Sequence, residues 1–457
     1  MMDAPDTALH HGWSGTVRRR LGLSLSANAF GQIVTIAVQL ASLPVLIGAW
    51  GVEVYGLWLV ISAVPAYLAF LDAGFGTAAG SHMVGLVVRG GSDDAARVYN
   101  ALAALVLAVV AGIGIPAALV ALWLPWSAYF PLGAAAGPID VAIAAVTAYG
   151  FACLPMSVVQ TGFRANGSYA LGATLANALR LGESAAMLGV AAAGYGLAPA
   201  ALTLLAVRSL GTVAIAVTMH RTVRWLPFRP GGAALGELRP LLRPAFAVMM
   251  FPAAFALSIQ GMTFLIAALV SVKAVVVFSA VRTLTRLGLQ AVSVVSQAVM
   301  PEYSAAAHTD RARLARLVKF NAAAAFVVAL TLAVVLAAAG VPFIGFWSGG
   351  QIEAPLRLVL LMAAVMVVQA VATVPLSLLI SVNRHGACGV IMVAGALVAL
   401  AGAAAVLPSW GLEGAALALL LTDIAMLAIF VDRVAANRLV DGGGWRVVPR
   451  ARPTWFP

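Results

Sequence analysis

Residues 54–80 read VYGLWLVISAVPAYLAFLDAGFGTAAG, and Asp72 is the sole charged side chain among them. Crossing a bilayer as a helix takes about 20 predominantly apolar residues, so the run is long enough to span. A carboxylate at that depth costs about 2.5–3.5 kcal/mol on insertion scales, so it faces a cavity or a partner. Gly74, Gly76 and Gly80 stand beside it and let another helix or a ligand come close. Asp72 therefore reads as a lumen-facing carboxylate acting as a gate partner or ion-coupling group, or as half of a static interhelical pair.

The same pattern fills the chain. Apolar stretches of spanning length fall at 21–49, 54–80, 98–122, 139–163, 170–192, 197–219, 244–271, 275–302, 317–340, 357–381, 387–407 and 412–432. Of 457 residues, 63% are hydrophobic and 9% charged, and the mean hydropathy is +1.01. Soluble domains hold about 45–50% apolar and about 25% charged residues, so composition specifies an integral membrane protein. Lipid offers no partner to unpaired backbone groups, so the spans are expected to be helices and the fold all-α, with twelve transmembrane helices. Ala27-Asn28-Ala29 mimics a signal-peptidase site, but the apolar run continues past Leu46, so a first span is expected there, not a cleaved signal. Cys153 and Cys388 both lie in apolar runs and read as small buried hydrophobes.

Charge placement sets the orientation. With the N-terminus inside, every lysine and arginine lies on a cytoplasmic segment except Lys273 and Arg357 outside and Arg180, Arg208, Arg282 and Arg286 within spans. The net charge of +11 is thus a positive-inside signature and does not point to nucleic acid. Two segments repeat. GLAPAALTLLAVRSL (196–210) aligns with GLEGAALALLLTDIA (411–425) at a shift of 215, and LPMSVVQTGFR (154–164) with VPLSLLISVNR (374–384) at a shift of 220. Both halves start inside, so the repeat is parallel, about an axis along the membrane normal. The expected organisation is a cytoplasmic tail (1–20), a six-helix lobe (21–219), a basic linker (220–243), a second six-helix lobe (244–435) and a cytoplasmic tail (436–457).

Intramembrane charges mark where chemistry could sit. Arg282 and Arg286 are spaced i,i+4 on the eighth helix, so their guanidinium groups are expected to converge on a polyanion such as pyrophosphate. The alternative is that each snorkels or pairs separately. Arg180 and Glu183, at i,i+3 on the fifth helix, read as an internal ion pair, or Glu183 as a site for a coupling Na+ or H+. Arg208 and Asp423 are repeat mates of opposite sign, and Asp72 and Arg286 are near-mates at a shift of 214. Pro155 and Pro375, in the repeated P-x-S, are expected to kink their helices and are candidate hinges. Asn28, Gln32 and Gln39 recur at helical spacing on the first helix and suggest a wet face. No phosphate-cradling glycine loop, metal-ligand spacing or nucleophile elbow is present, so no enzymatic chemistry, metal or cofactor is expected.

Pro44, the run Gly51-x-x-x-Tyr55-Gly56-Leu57-Trp58, Leu71-Asp72-x-Gly74-x-Gly76, and FSAVRTLTRLGLQAVSVVSQAVMPEYS (278–304) with Arg282, Arg286 and Pro301 resemble the polysaccharide transporter family. That family comprises O-antigen and exopolysaccharide repeat-unit flippases. They are relatives of the lipid II flippase in the multidrug/oligosaccharidyl-lipid/polysaccharide exporter (MOP) superfamily. Many members have fourteen spans where twelve are read here. The resemblance implies a V-shaped, two-lobed, alternating-access transporter in the inner membrane. Its substrate would be a polyprenyl-pyrophosphate-linked oligosaccharide, flipped to the outer leaflet. Arg282 and Arg286 would bind the pyrophosphate first, with Arg208 and Arg180 next. Membrane lipids and other polysaccharide assembly proteins are the implied partners. A multidrug or cation antiporter of the same fold is the alternative.

Reporters fused after Gly232 and after Gly443 are expected to read cytoplasmic, and a cysteine at Ala135 to label from outside. An outside signal at Gly232 would overturn the six-plus-six arrangement.

Overall fold

The computed structural model describes residues 15–129, 137–229, 235–382 and 387–436, and for a few stretches, 68–73 among them, the backbone alone. Among the described residues every regular element is helical. Nine of these helices are long and apolar enough to cross a membrane, and helix also covers each of the twelve predicted stretches. The two counts differ for physical reasons. Helices α1 (Gly15–Ile61) and, at the other end of the chain, Cys388–Ala436 each pass through a left-handed glycine, Gly51 (φ 73°) and Gly411 (φ 57°), where one span ends and the next begins. Only glycine takes that conformation without a steric cost. The helix Tyr169–Ala192 carries Asn177, Arg180 and Glu183, which lower its hydropathy.

The chain forms two compact units, Met1–Met249 and Met250–Pro457. In the first, α1 is followed by α2 (Ala63–Val88), α3 (Ser92–Val109), α4 (Ile115–Trp123), α5 (Trp126–Tyr129), α6 (Ile139–Ala152), α7 (Pro155–Ala165), α8 (Tyr169–Ala192) and α9 (Leu197–Thr222). A π-turn, Val110–Gly114, joins α3 to α4. α1 packs on α8, α2 on α7, and α9 on both α6 and α8. The core centres on Met83, Tyr99, Leu102, Phe163 and Met219, all buried. The α1–α8 seam is polar. Tyr169 donates to Asn28 Oδ1 (3.3 Å), Asn177 Nδ2 to the Ala27 carbonyl (3.1 Å) and Arg180 Nη1 to Thr35 Oγ1 (3.3 Å). Asn28, read as part of a wet face, thus holds a neighbouring helix.

The boundary between units falls within α10 (Leu242–Ala256). A second π-turn, Leu257–Gly261, leads into α11 (Met262–Leu269), followed by α12 (Val272–Thr309), α13 (Arg311–Trp347), α14 (Leu356–Ser381) and α15 (Cys388–Ala436). α14 is central to this unit, packing on α12, α13 and α15. Beneath it Asn321, fully buried, donates to Tyr303 (2.9 Å) and accepts from Ser296 (3.3 Å).

The two repeat-related prolines act differently. Pro155 opens α7 after a turn at Cys153 and Leu154, so the predicted fourth span is broken there. Pro375 lies inside α14, which continues through it. The hydroxyls of Thr373 and Ser377 bond the Ala370 and Val374 carbonyls around it. The glycines of α2 serve close approach. A Cβ on Gly74 would meet the Ala245 carbonyl at 2.5 Å, and one on Gly76 the Ser157 Cβ at 2.8 Å.

Gly76→Val is accordingly expected to cost about 1–3 kcal/mol by overpacking α2 against α7. Thermal unfolding of the detergent-solubilised protein reads this as a lowered midpoint. Gly189→Ala on α8, where an added Cβ meets nothing within 4 Å, should leave the midpoint unchanged or raise it.

Candidate functional site

Among the described residues, two groups of intramembrane charges stand out, one in each unit. In the first unit Glu183 of α8 pairs with Arg208 of α9, and both side chains are buried, 4% and 11% exposed. Tyr149 of α6 donates to Glu183 Oε1 at 3.1 Å and accepts from Arg208 Nη2 at 3.4 Å. Its ring centre lies 5.6 Å from the guanidinium carbon. Cation, carboxylate and phenol bond one another across three helices, while Glu183 Oε2 and Arg208 Nε are buried without a hydrogen-bond partner among the described residues. This corrects the expected Arg180–Glu183 pair. Glu183 faces the α6–α9 side of its helix, whereas Arg180 is exposed on the side of α1 and bonds Thr35.

The second unit holds a cavity of about 310 Å³ between α10, α12, α14 and α15. Its polar lining includes Ser258, Arg286, Gln290, Gln369, Thr422 and Asp423. Asp423 is buried and its Oδ2 accepts from Gln369 Nε2 at 2.8 Å. Arg286 is half-buried and makes no hydrogen bond or ion pair with another described residue. Its guanidinium, with five donors in a fixed fork, opens on the cavity. Phe255 and Phe430 contribute apolar wall.

Arg282 does not join Arg286 there. Its Nη1 donates to the Ile259 carbonyl at 2.8 Å, and its Nη2 to Thr263 Oγ1 (3.3 Å) and Ser279 Oγ (3.2 Å). Ile259 sits in the π-turn, where the α-helical hydrogen-bond ladder is interrupted and a carbonyl becomes available to a side chain. The expected convergence of the two arginines is therefore replaced by a division. Arg282 staples α12 to the π-turn and α11, and Arg286 faces the cavity. The side chain of Asp72 lies outside the described residues, as does Arg384 of the second repeat. Among the described residues no group of three or more His, Cys, Asp or Glu is placed to hold a metal.

Sequence reading passed over Tyr149 and Gln369, yet a signal was present. They stand 220 residues apart, the shift that superposes Pro155 on Pro375, and Arg208 and Asp423 stand 215 apart. The Tyr149–Arg208 and Gln369–Asp423 bonds thus join equivalent positions on the fourth and sixth spans of each half.

No protein-family model matches the chain, and no curated protein matches its sequence. Solved structures do match. An inward-facing multidrug resistance MATE family transporter of the MOP superfamily superposes with a TM-score of 0.68 at 15% identity, over 93% of this chain and 99% of that one. The lipid II flippase MurJ in an inward closed conformation gives 0.66 at 14%, over 90% and 87%. A MOP superfamily transporter from Pyrococcus furiosus, described as having a binding pocket of reverse polarity, gives 0.54 at 14%, over 92% and 94%. At such identities the likeness carries the fold: this multi-pass membrane chain is built on the fold of the MOP-superfamily transporters.

Proposed function

We propose that the chain is a flippase that moves a polyprenyl-pyrophosphate-linked oligosaccharide from the cytoplasmic to the outer leaflet by alternating access. The observation that carries this reading is the guanidinium of Arg286, which lines the cavity of the second unit and has no partner among the described residues. A pyrophosphate loses its hydration on entering a membrane protein. A planar fork of donors replaces part of that hydration, and arginine suits the task better than lysine. The transporter and the flippase that share its fold support transport over catalysis. Arg282 supports the site by fixing α12. Arg208 and Arg180 are bonded to Glu183 and Thr35 and would serve as secondary anion contacts on release from them. Asp72, Glu183 and Asp423 are the carboxylates available to gate the protein or to couple a Na+ or H+ gradient. Pro155 and Pro375 are the candidate hinges. The protein acts in the inner membrane with both termini cytoplasmic, among membrane lipids and other polysaccharide assembly proteins.

A second reading, a multidrug or cation antiporter, is favoured by one observation: Asp423 lines the same cavity and would attract a cationic substrate. The two readings separate on opposite substitutions. Arg286→Ala is expected to abolish export of lipid-linked glycan while the protein stays in the membrane, and Arg286→Lys to restore it in part. Export by Arg286→Ala at the normal rate would move the site elsewhere. Loss of resistance to a cationic dye in Asp423→Asn, with Arg286→Ala unaffected, would establish the antiporter.

The buried cluster of the first unit generates a separate expectation. Glu183→Ala leaves Arg208 buried without its counter-charge and should cost about 3–5 kcal/mol, most of it regained in Glu183→Leu/Arg208→Met. Thermal unfolding checks this. Equal stability of Glu183→Ala and the native protein would show that the pair is not structural.

A further inference from the structure

We infer that Gln369 is a positioning residue that keeps Asp423 from neutralising Arg286, so that the guanidinium stays open to an anion. The inference rests on the reading of Arg286 as the anion site. Arg286, Gln369 and Asp423 line one cavity. A carboxylate and a guanidinium lining one low-dielectric cavity attract each other once a side-chain rotation brings them within reach, and these two are not paired. Asp423 is instead held through Oδ2 by the Gln369 amide at 2.8 Å, and Arg286 has no partner among the described residues.

The first unit supplies an internal comparison. Tyr149, at the repeat position of Gln369, donates to a carboxylate that also takes the arginine. Phenol and cation both converge on Glu183. In the second unit the carboxylate stands at the repeat position of Arg208 instead. The positions 215–220 residues on from Glu183 are 398–403, VALAGA, which hold no acid, and Ala399 lines the cavity. The small side chain leaves room where the first unit has its carboxylate.

An amide suits this role because it donates a hydrogen bond without carrying charge. It occupies lone pairs of Asp423 and fixes the direction of the carboxylate. A lysine or arginine at 369 would cancel the charge, and an apolar residue would leave the carboxylate to seek the nearest cation. Ser258, Gln290, Ser293, Thr373 and Thr422, the other polar groups on the cavity, are neutral. Arg286 is therefore the cation in that lining toward which a released Asp423 would turn.

The test measures binding of farnesyl pyrophosphate to the full-length protein in detergent by titration calorimetry, with farnesol as the uncharged control. Gln369→Leu should weaken farnesyl pyrophosphate binding by about tenfold or more, the scale of one charge-assisted hydrogen bond, and leave farnesol unaffected. Adding Asp423→Asn to Gln369→Leu should return the affinity to within about threefold of the native value, as coupled neighbours require. If the leucine variant does not fold, Gln369→Ala with and without Asp423→Asn carries the same comparison. Native affinity in the Gln369 variant overturns the inference. So does a loss that Asp423→Asn does not recover, because Gln369 would then touch the ligand itself. Arg286→Ala separates the two levels. If it binds as the native protein does, the anion site itself falls. If it loses binding while Gln369→Leu keeps it, the anion site stands and only the role of Gln369 falls.

Discussion

Hydrocarbon supplies no hydrogen bonds, and everything polar in this chain is arranged around that fact. The backbone answers it with helix. The side chains answer it by finding partners on other helices: Asn28 with Tyr169, Asn321 with Tyr303, Glu183 with Arg208, Gln369 with Asp423. Each bond of this kind is worth little in isolation, about 0.6 kcal/mol on average in membranes, but the cost of leaving a charge without one is several times larger. Most of the polar inventory is thus spoken for by the fold. A group without a partner among the described residues, such as Arg286, stands out against that inventory.

The internal repeat turns that contrast into a comparison within one chain. Equivalent positions on the fourth and sixth spans are bonded in both units, by tyrosine to arginine in the first and by glutamine to aspartate in the second. The scaffold keeps the link and exchanges its chemistry. In the first unit a third residue, Glu183, completes the cluster. In the second, the corresponding stretch VALAGA holds no acid, and Ala399 faces an open cavity. One half is filled by an ion pair at the place where the other holds a cavity.

Span positions were legible because length and hydropathy dictate them, and each predicted stretch is helical. The glycines of α2 were legible as sites of close approach. Partner choice was not. Spacing of three on α8 placed Arg180 beside Glu183, but a helix seam with α1 drew the arginine away and α9 brought a better cation. Spacing of four on α12 placed Arg282 beside Arg286, but the π-turn at 257–261 offered a carbonyl that no periodicity reveals. Pro155 and Pro375 share a motif and a register, and the motif serine bonds the carbonyl three residues back in both, yet one interrupts its span and the other does not; Thr373, which bonds Ala370, has Cys153 at its repeat position. Local pattern sets which residues are candidates, and tertiary packing decides among them.

The π-turn at Leu257–Gly261 carries a consequence for how this sequence can drift. A single-turn bulge holds one residue more than the α-helix around it, and each residue of helix is worth about 100° of rotation. The wide turn is therefore a phase adjuster. It sets the angular register of Met262–Leu269 against Leu242–Ala256, and it presents Ile259 to Arg282. Loss of one residue within it would give a more regular helix and a less workable protein. The upper and lower segments would fall out of phase, and Arg282 would lose its acceptor. Length in this segment is therefore expected to be under tighter constraint than composition: apolar substitutions keep the phase, while insertions and deletions change it.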